Sequence, residues 1–386
     1  MAEDTRLIHA GAGDQPLVKT VSPPIQKGST VLLPNAAALY DDDHFITYGR
    51  QGLAAHDALR AGLCELENAK GVCLYPSGVA ALSGALLAVL KAGDEILVVD
   101  NTYKPTRRFC DHVLKRFGVT TRYYDPRLSP EELVGGASDA TRLILMESPG
   151  SLSFEMQDMA AIAALARARG ILTVADNTWG SSLIYKPLDH GIDISVQALT
   201  KYVGGHSDVF MGSAAARDPA LVRRLEDGVL HLGWAVAPED AYQMLRGLRT
   251  LAIRMARHGE SGLRIAAWLQ NQPQVLQVLH PALPGCRDHA LWARDYTGAC
   301  GLFGFLLKPA SEAAVAAFLD ALEIFGLGFS WGGFESLAIS CDEQLKTRKH
   351  LRIYPGPLMR LHVGLEDADD LIADLAKGFA ALDALA

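Results

Sequence analysis

The stretch SVQALTKYVGGHSDVFMGS, Ser195–Ser213, sets a lysine at the end of a short apolar run. Lys201 follows DISVQAL, which reads as a strand, and precedes small and polar residues that cannot bury it. A lysine of ordinary pKa, near ~10.4, is a poor nucleophile at neutral pH. Desolvation or a nearby positive charge lowers that value and frees the amine to form a Schiff base. Most lysines only carry surface charge, so the companions of Lys201 decide its meaning. Asp176 closes another apolar run, ILTVAD. Either it is a solvated carboxylate or a helix cap shared with Asn177, or it keeps a proton on a heteroaromatic nitrogen.

Other segments supply ligand-binding groups. In YPSGVAALSGALLAVLKAGD, Tyr75–Asp94, Ser77 and Gly78 precede a run of good helix formers. The free N–H groups of Gly78 and Val79 make an anion cradle suited to a phosphate, unless Ser77 is a plain N-cap. Thr200 offers a hydroxyl to the same anion. Tyr103, in NTYKPT, follows a strand ending at Asp100, where its ring either stacks on a planar cofactor or only packs. Arg360 stands between Met359 and Leu361 in the alternating strand LMRLHVGL. It is either one half of a structural ion pair or a bidentate clamp for a substrate carboxylate. Lysine and aspartate on neighbouring strand ends are what pyridoxal phosphate needs to act as an electron sink.

The elements that must hold these groups are legible as alternation. EILVVD (Glu95–Asp100), RLILME (Arg142–Glu147) and ILTVADN (Ile171–Asn177) read as strands buried on both faces. Helical stretches lie between them, such as MAAIAALARARG, which stops at Gly170. Alternating strands and helices predict an α/β fold with a mostly parallel sheet. Asp100, Glu147 and Asp176 then mark the carboxyl ends of three strands, where ligands bind in such sheets. Residues 1–51, with Pro16, Pro23, Pro24, Pro34 and the acidic run Asp41–Asp43, read as an arm, 52–247 as the large domain and 248–386 as a smaller C-terminal domain. The last segment repeats apolar residues at Leu371, Leu375, Phe379 and Leu382, an amphipathic helix. Its acidic start, Glu366–Asp370, fits the helix dipole better than a metal site.

Composition bounds the function. The chain has 386 residues, 49% hydrophobic and 21% charged, as expected of a globular protein with a large core. A formal net charge of −8 argues against a nucleic-acid surface. MAEDTRLIHA is acidic where a secretory signal is basic, and Val79–Leu90 is too short to span a bilayer, so the expected location is cytoplasmic with no membrane partner. Six scattered cysteines without a CxxC pair predict free thiols, with neither a zinc site nor disulfides.

Along nearly its whole length the chain resembles the Cys/Met-metabolism family of pyridoxal phosphate enzymes. VSPPIQKGST, YGRQG, CELENAKG, YPSGVAAL, NTYKPT, LMESPGS, ADNTW, ALTKYVGGHSD, RGLRTL, SWGGFESL and MRLHVGLEDADDLI stand in the family's order. The resemblance implies the fold type I, aspartate aminotransferase-like architecture. It implies that Lys201 binds the cofactor covalently, Asp176 pairs with the pyridine nitrogen and Tyr103 stacks on the ring. Gly78, Val79 and Thr200 would hold the phosphate, joined by Tyr48 and Arg50 from a neighbouring subunit of a homotetramer. Arg360, assisted by Ser330 and Trp331, would bind the α-carboxylate of a small sulfur amino acid. ESPGS (Glu147–Ser151) and SWGG (Ser330–Gly333) are similar to the family's bacterial β-lyases, which cleave L-cystathionine to homocysteine, pyruvate and ammonia in methionine biosynthesis. One departure concerns the substrate: Gly228–Val236 offers Trp234 where a tyrosine is expected. The alternatives are a lyase for another S-substituted cysteine such as cystine, a γ-lyase or γ-synthase, and a cofactor-binding regulator without turnover.

Overall fold

The computed structural model describes residues 2–10, 20–41, 46–350 and 354–385. Pro16, Asp42 and Asp43 of the expected arm lie outside the described residues. Seven strands form the larger sheet: β1 (Gly71–Tyr75), β2 (Glu95–Val99), β3 (Thr120–Tyr124), β4 (Thr141–Glu147), β5 (Leu172–Asp176), β6 (Ile194–Gln197) and β7 (Gly212–Ala216). Their order is β1-β7-β6-β5-β4-β2-β3, and β7 is the strand that runs against its neighbours. The apolar runs seen in the sequence are these buried strands. Leu97, Val99, Ile144 and Met146 pack on one face of the sheet, and Ile96, Val98, Leu143 and Leu145 on the other. β2 and β4 thus feed two cores, which is why no polar alternation is visible in them.

Helix ends follow local chemistry. The Ser77 side chain accepts the Ala80 N–H at the start of Gly78–Val89. Helix Met159–Ala168 is followed by Gly170 at φ +67, the left-handed conformation glycine adopts at no steric cost. Ala368–Asp383 starts at an Asp367 cap and buries Leu371, Leu375, Phe379 and Leu382, so the acidic start is partly a cap.

A second sheet holds β8 (Val275–Leu279), β9 (Leu302–Leu307), β10 (Gly326–Leu327), β11 (Leu337–Ser340) and β12 (Leu358–His362), in the order β10-β11-β12-β9-β8. Its core is aromatic: Phe379 from the last helix meets Phe305 of β9, Phe318 and Trp268. All six cysteines are free, Cys64 and Cys286 half-buried and the others buried. Among the described residues no helix is long and apolar enough to cross a membrane.

Within the segment read as an arm, Glu3–His9 forms a helix docked on its own chain. Leu7 is buried, Arg6 pairs with Glu65, and Glu3 pairs with Lys186. Seven residues show too little periodicity to reveal such a helix. The aromatic packing of the second sheet gives a direct test: Phe379→Ala should remove roughly 3–5 kcal/mol of stability, read as a lowered thermal midpoint with the fold otherwise retained.

Candidate active site

The carboxyl ends of β4, β5 and β6 open onto one cavity of about 320 Å³. Lys201, Asp176, Tyr103, Gly78, Val79, Thr200, Arg360, Ser330 and Trp331 all line it. The parallel sheet therefore gathers on one side residues that are as much as 282 positions apart in the chain, from Gly78 to Arg360.

Lys201 lies in the turn after β6, its N–H bonded to the Ala198 carbonyl at 3.1 Å. Its ammonium donates to Ser330 Oγ at 2.7 Å and lies 5.4 Å from the Trp331 ring centre. Burial, then the Arg360 guanidinium, pull the amine down to about 8, against the opposing charges of Asp176 and Glu335. Such an amine is partly unprotonated near neutral pH and nucleophilic.

Asp176, the last residue of β5, receives Thr178 N–H at 3.1 Å and the Thr178 hydroxyl at 2.6 Å. The Thr178 hydroxyl also accepts the Ala198 N–H at 2.9 Å, so one threonine ties the aspartate to the turn that carries Lys201. Burial pushes the Asp176 carboxyl upward, while those two bonds and Lys201 oppose it. Both bonds fall on Oδ1, which leaves Oδ2 for a cationic group in the cavity. Glu147, at the end of β4, also lines the cavity. Asp100 does not, contrary to the expectation that all three strand-end carboxylates serve one site. It is buried in an ion pair with Arg107 and accepts the N–H groups of Lys349 and His350 at 3.1 and 2.6 Å.

At the other end of the cavity, Gly78 and Val79 are the first two residues of their helix, and Ser77 caps the third. The first two N–H groups have no intrahelical acceptor. Gly78 is required for close approach, since a Cβ there would lie 2.4 Å from that of Ala198. Thr200 sits beside them, but its hydroxyl is engaged by Met211, accepting its N–H at 2.9 Å and donating to its carbonyl at 3.1 Å. The hydroxyl offered to an anion in the sequence reading is thus already donating within the chain.

Arg360 forms no ion pair with a carboxylate among the described residues. Its Nη2 donates to the carbonyls of Gly328, Phe329 and Ser330 at 3.3, 3.0 and 3.1 Å, while its buried Nε has no partner. An unpaired donor on a buried cation is an anion site in waiting. His362, two residues on in β12, accepts the Gly332 N–H at 3.0 Å. Gly332 itself adopts φ +84, and a Cβ there would come within 2.8 Å of the Lys201 carbonyl carbon. Ser330 and Trp331 are pinned against the lysine from both sides. His362 and Thr178 were not singled out in the sequence. The D-x-T spacing of Asp176 and Thr178 recurs at Asp100 and Thr102, where the threonine hydroxyl bonds Glu147 instead, so spacing alone does not reveal the role of Thr178.

Tyr48 and Arg50 do not reach this cavity. They line a separate surface hollow with Gly28, Leu53 and Val236, where Arg50 Nη1 donates to the Leu230 carbonyl at 2.8 Å. Trp234 packs edge-on against Tyr75, ring centres 5.4 Å apart, and does not line the cavity either.

Comparison with known proteins decides the family. Residues 4–380 match the description "Cys/Met metabolism PLP-dependent enzyme". The chain belongs to this family. It is 40% identical to the cystathionine beta-lyase of Salmonella typhimurium, over 98% of both chains. It is 40% identical to that of Bordetella avium, over 97% of this chain and 96% of the relative. The crystal structure of cystathionine gamma synthase from Xanthomonas oryzae pv. oryzae in complex with cystathionine superposes with a TM-score of 0.93 at 33% identity, covering 100% of both chains. The fold is the α/β fold type I of pyridoxal phosphate enzymes, and pyridoxal phosphate is the cofactor. The residues fit that group: a depressed lysine, an aspartate with a free oxygen, and unbonded amides at a helix start.

The depressed lysine predicts a pH signature in cofactor-free protein. Reductive methylation of Lys201 should accelerate about tenfold per pH unit and level off near pH 8, because the amine is then mostly neutral. Exposed lysines should keep accelerating towards ~10.4. Peptide mapping across that range separates the two; a Lys201 rate that climbs with the rest contradicts the electrostatics described.

Proposed function

We propose that this chain is a cystathionine β-lyase, which cleaves the bond between sulfur and the β-carbon of L-cystathionine. Water enters, and homocysteine, pyruvate and ammonia leave. The observation that carries this reading is the convergence on one cavity of Lys201, Asp176 and Arg360, a buried cation without a carboxylate partner among the described residues. ESPGS and SWGG support β- over γ-cleavage, and Gly150, Ser151, Ser330 and Trp331 from them line that cavity.

Bound pyridoxal phosphate supplies an electron sink for charge that develops on the substrate α-carbon. Asp176 Oδ2 would keep the ring nitrogen protonated, and Tyr103 would cover the ring. The Gly78 and Val79 amides would hold the phosphate, with Thr200 able to join them by giving up its bond to the Met211 carbonyl. Arg360 fixes the α-carboxylate. The neutral Lys201 amine would take the α-proton, and Ser330 Oγ marks the position of its Nζ. The proton gained by Lys201 is available to the departing sulfur, which becomes a thiol.

Each site is completed by a second subunit that contributes Tyr48 and Arg50, within a homotetramer located in the cytoplasm. The distance of these two residues from their own cavity supports the sharing. So does apolar surface on the segment before them, where Leu32 and Tyr40 are each 93% exposed. A lyase for cystine or another S-substituted cysteine is the second reading, because no tyrosine occupies Gly228–Val236 and Trp234 packs into its own subunit.

Product analysis separates the readings. L-Cystathionine should give pyruvate and homocysteine; 2-oxobutyrate and cysteine would mean γ-cleavage, and turnover confined to cystine would favour the second reading. Arg360→Ala should raise KM at least about tenfold, the scale of one lost charge-assisted hydrogen bond. An unchanged KM contradicts the clamp.

A further inference from the structure

Glu147 has no assigned role, and its surroundings give it one. In the ladder between β4 and β5, Glu147 is the register partner of Asp176. Neighbouring strands lie about 4.8 Å apart and opposed residues project to the same face. Both carboxyls line the same cavity. Two carboxylates so close in a desolvated site cannot both ionise without a large penalty.

The two acids are not equivalent. Asp176 has both Thr178 bonds on one oxygen and the other free for a cation. Glu147 Oε2 instead accepts the Tyr103 N–H at 2.7 Å and the Thr102 hydroxyl at 3.0 Å. It is therefore the anchor of the turn that brings the Tyr103 ring to the cavity. The charged and titratable groups facing it are Asp176 from β5, Tyr103 from the turn after β2, and Arg348 from the segment before β12. Arg348 is already committed to the Ser153 hydroxyl at 2.6 Å and to the Ser151 carbonyl. Burial, then the charge of Asp176, push the Glu147 carboxyl up to about 8 despite these bonds.

We propose that Glu147 is a positioning residue that works uncharged: as a neutral acid it anchors the Thr102–Tyr103 turn and leaves Asp176 the single anion at the cavity floor. The proposal rests on the cofactor site described above. A second anion there would hold more positive charge on Lys201 and undo the depression that makes its amine reactive. A neutral acid provides the same two hydrogen bonds without that effect.

Two variants test this. Glu147→Ala leaves the Tyr103 and Thr102 donors without their acceptor and should lower kcat/KM about tenfold to hundredfold. Glu147→Gln keeps a neutral acceptor of the same shape and should recover most of that loss. It should also leave the pH midpoint of the bound cofactor's visible absorption where wild type has it, to within about 0.3 units.

A third readout uses cofactor-free protein. A carboxyl whose folded pKa lies above its unfolded value contributes stability at low pH that is lost as pH rises through the folded value. Wild type should therefore lose thermal stability relative to Glu147→Gln as pH rises from about 4.5 to about 8, with little further change above that. Loss of activity in Glu147→Gln equal to that in Glu147→Ala, or an absorption midpoint moved by about a unit, would show that a charged carboxylate is required and overturn the proposal. If wild type released no pyruvate from any sulfur amino acid, the lyase reading would fail while the stability comparison still judged Glu147.

Discussion

An ammonium group withdrawn from water and set beside a guanidinium holds its proton weakly, and much of this molecule serves to keep Lys201 in that condition. A shift from 10.5 to about 8 corresponds to about 3 kcal/mol of preference for the neutral amine. That preference survives only if nearby anions are limited. Asp176 is the anion that the proposed chemistry uses, and Thr178 directs it by holding one oxygen. The same threonine grips Ala198, so the spacing between acid and amine is set by covalent geometry and two short bonds rather than by long side chains.

The parallel sheet makes this possible. Strands that run the same way deliver their last residues to one edge, and helix starts return to that edge with their amides unpaired. Positive and negative ends therefore meet at fixed heights. β7, which runs against its neighbours, has its own use: Gly212 lets it pass the Ser77 carbonyl, where a Cβ would come within 2.4 Å. The second sheet then lays β12 over the opening and presents Arg360 and His362 from alternate positions on one face.

How far the sequence revealed this depends on the range of the interaction. Asp176 was legible because an otherwise apolar run ended in a carboxylate, and the last helix because Leu371, Leu375, Phe379 and Leu382 recur at helical spacing. Ser77 announced its helix by type and position. Asp100 looked identical to Asp176 as a strand end, yet its partners are Arg107 and the amides of Lys349 and His350, some 250 residues away. No local pattern distinguishes the two aspartates. The bond from Gly332 to His362, the docking of Glu3–His9 and the capture of the Thr200 hydroxyl by Met211 are long-range or competitive in the same sense. Residue type identified candidates, and tertiary contacts chose among them.

Arg360 lines the cavity, holds three successive carbonyls with Nη2 and keeps a buried Nε without a partner among the described residues. A guanidinium is planar and rigid, so its two edges cannot move independently. When a carboxylate draws on one edge, the backbone from Gly328 to Ser330 is drawn with it, and Ser330 carries the contact to the lysine. On the proposed role of Arg360, capture of the substrate's acid end and alignment of the reacting amine would be one mechanical event, transmitted through a single flat side chain.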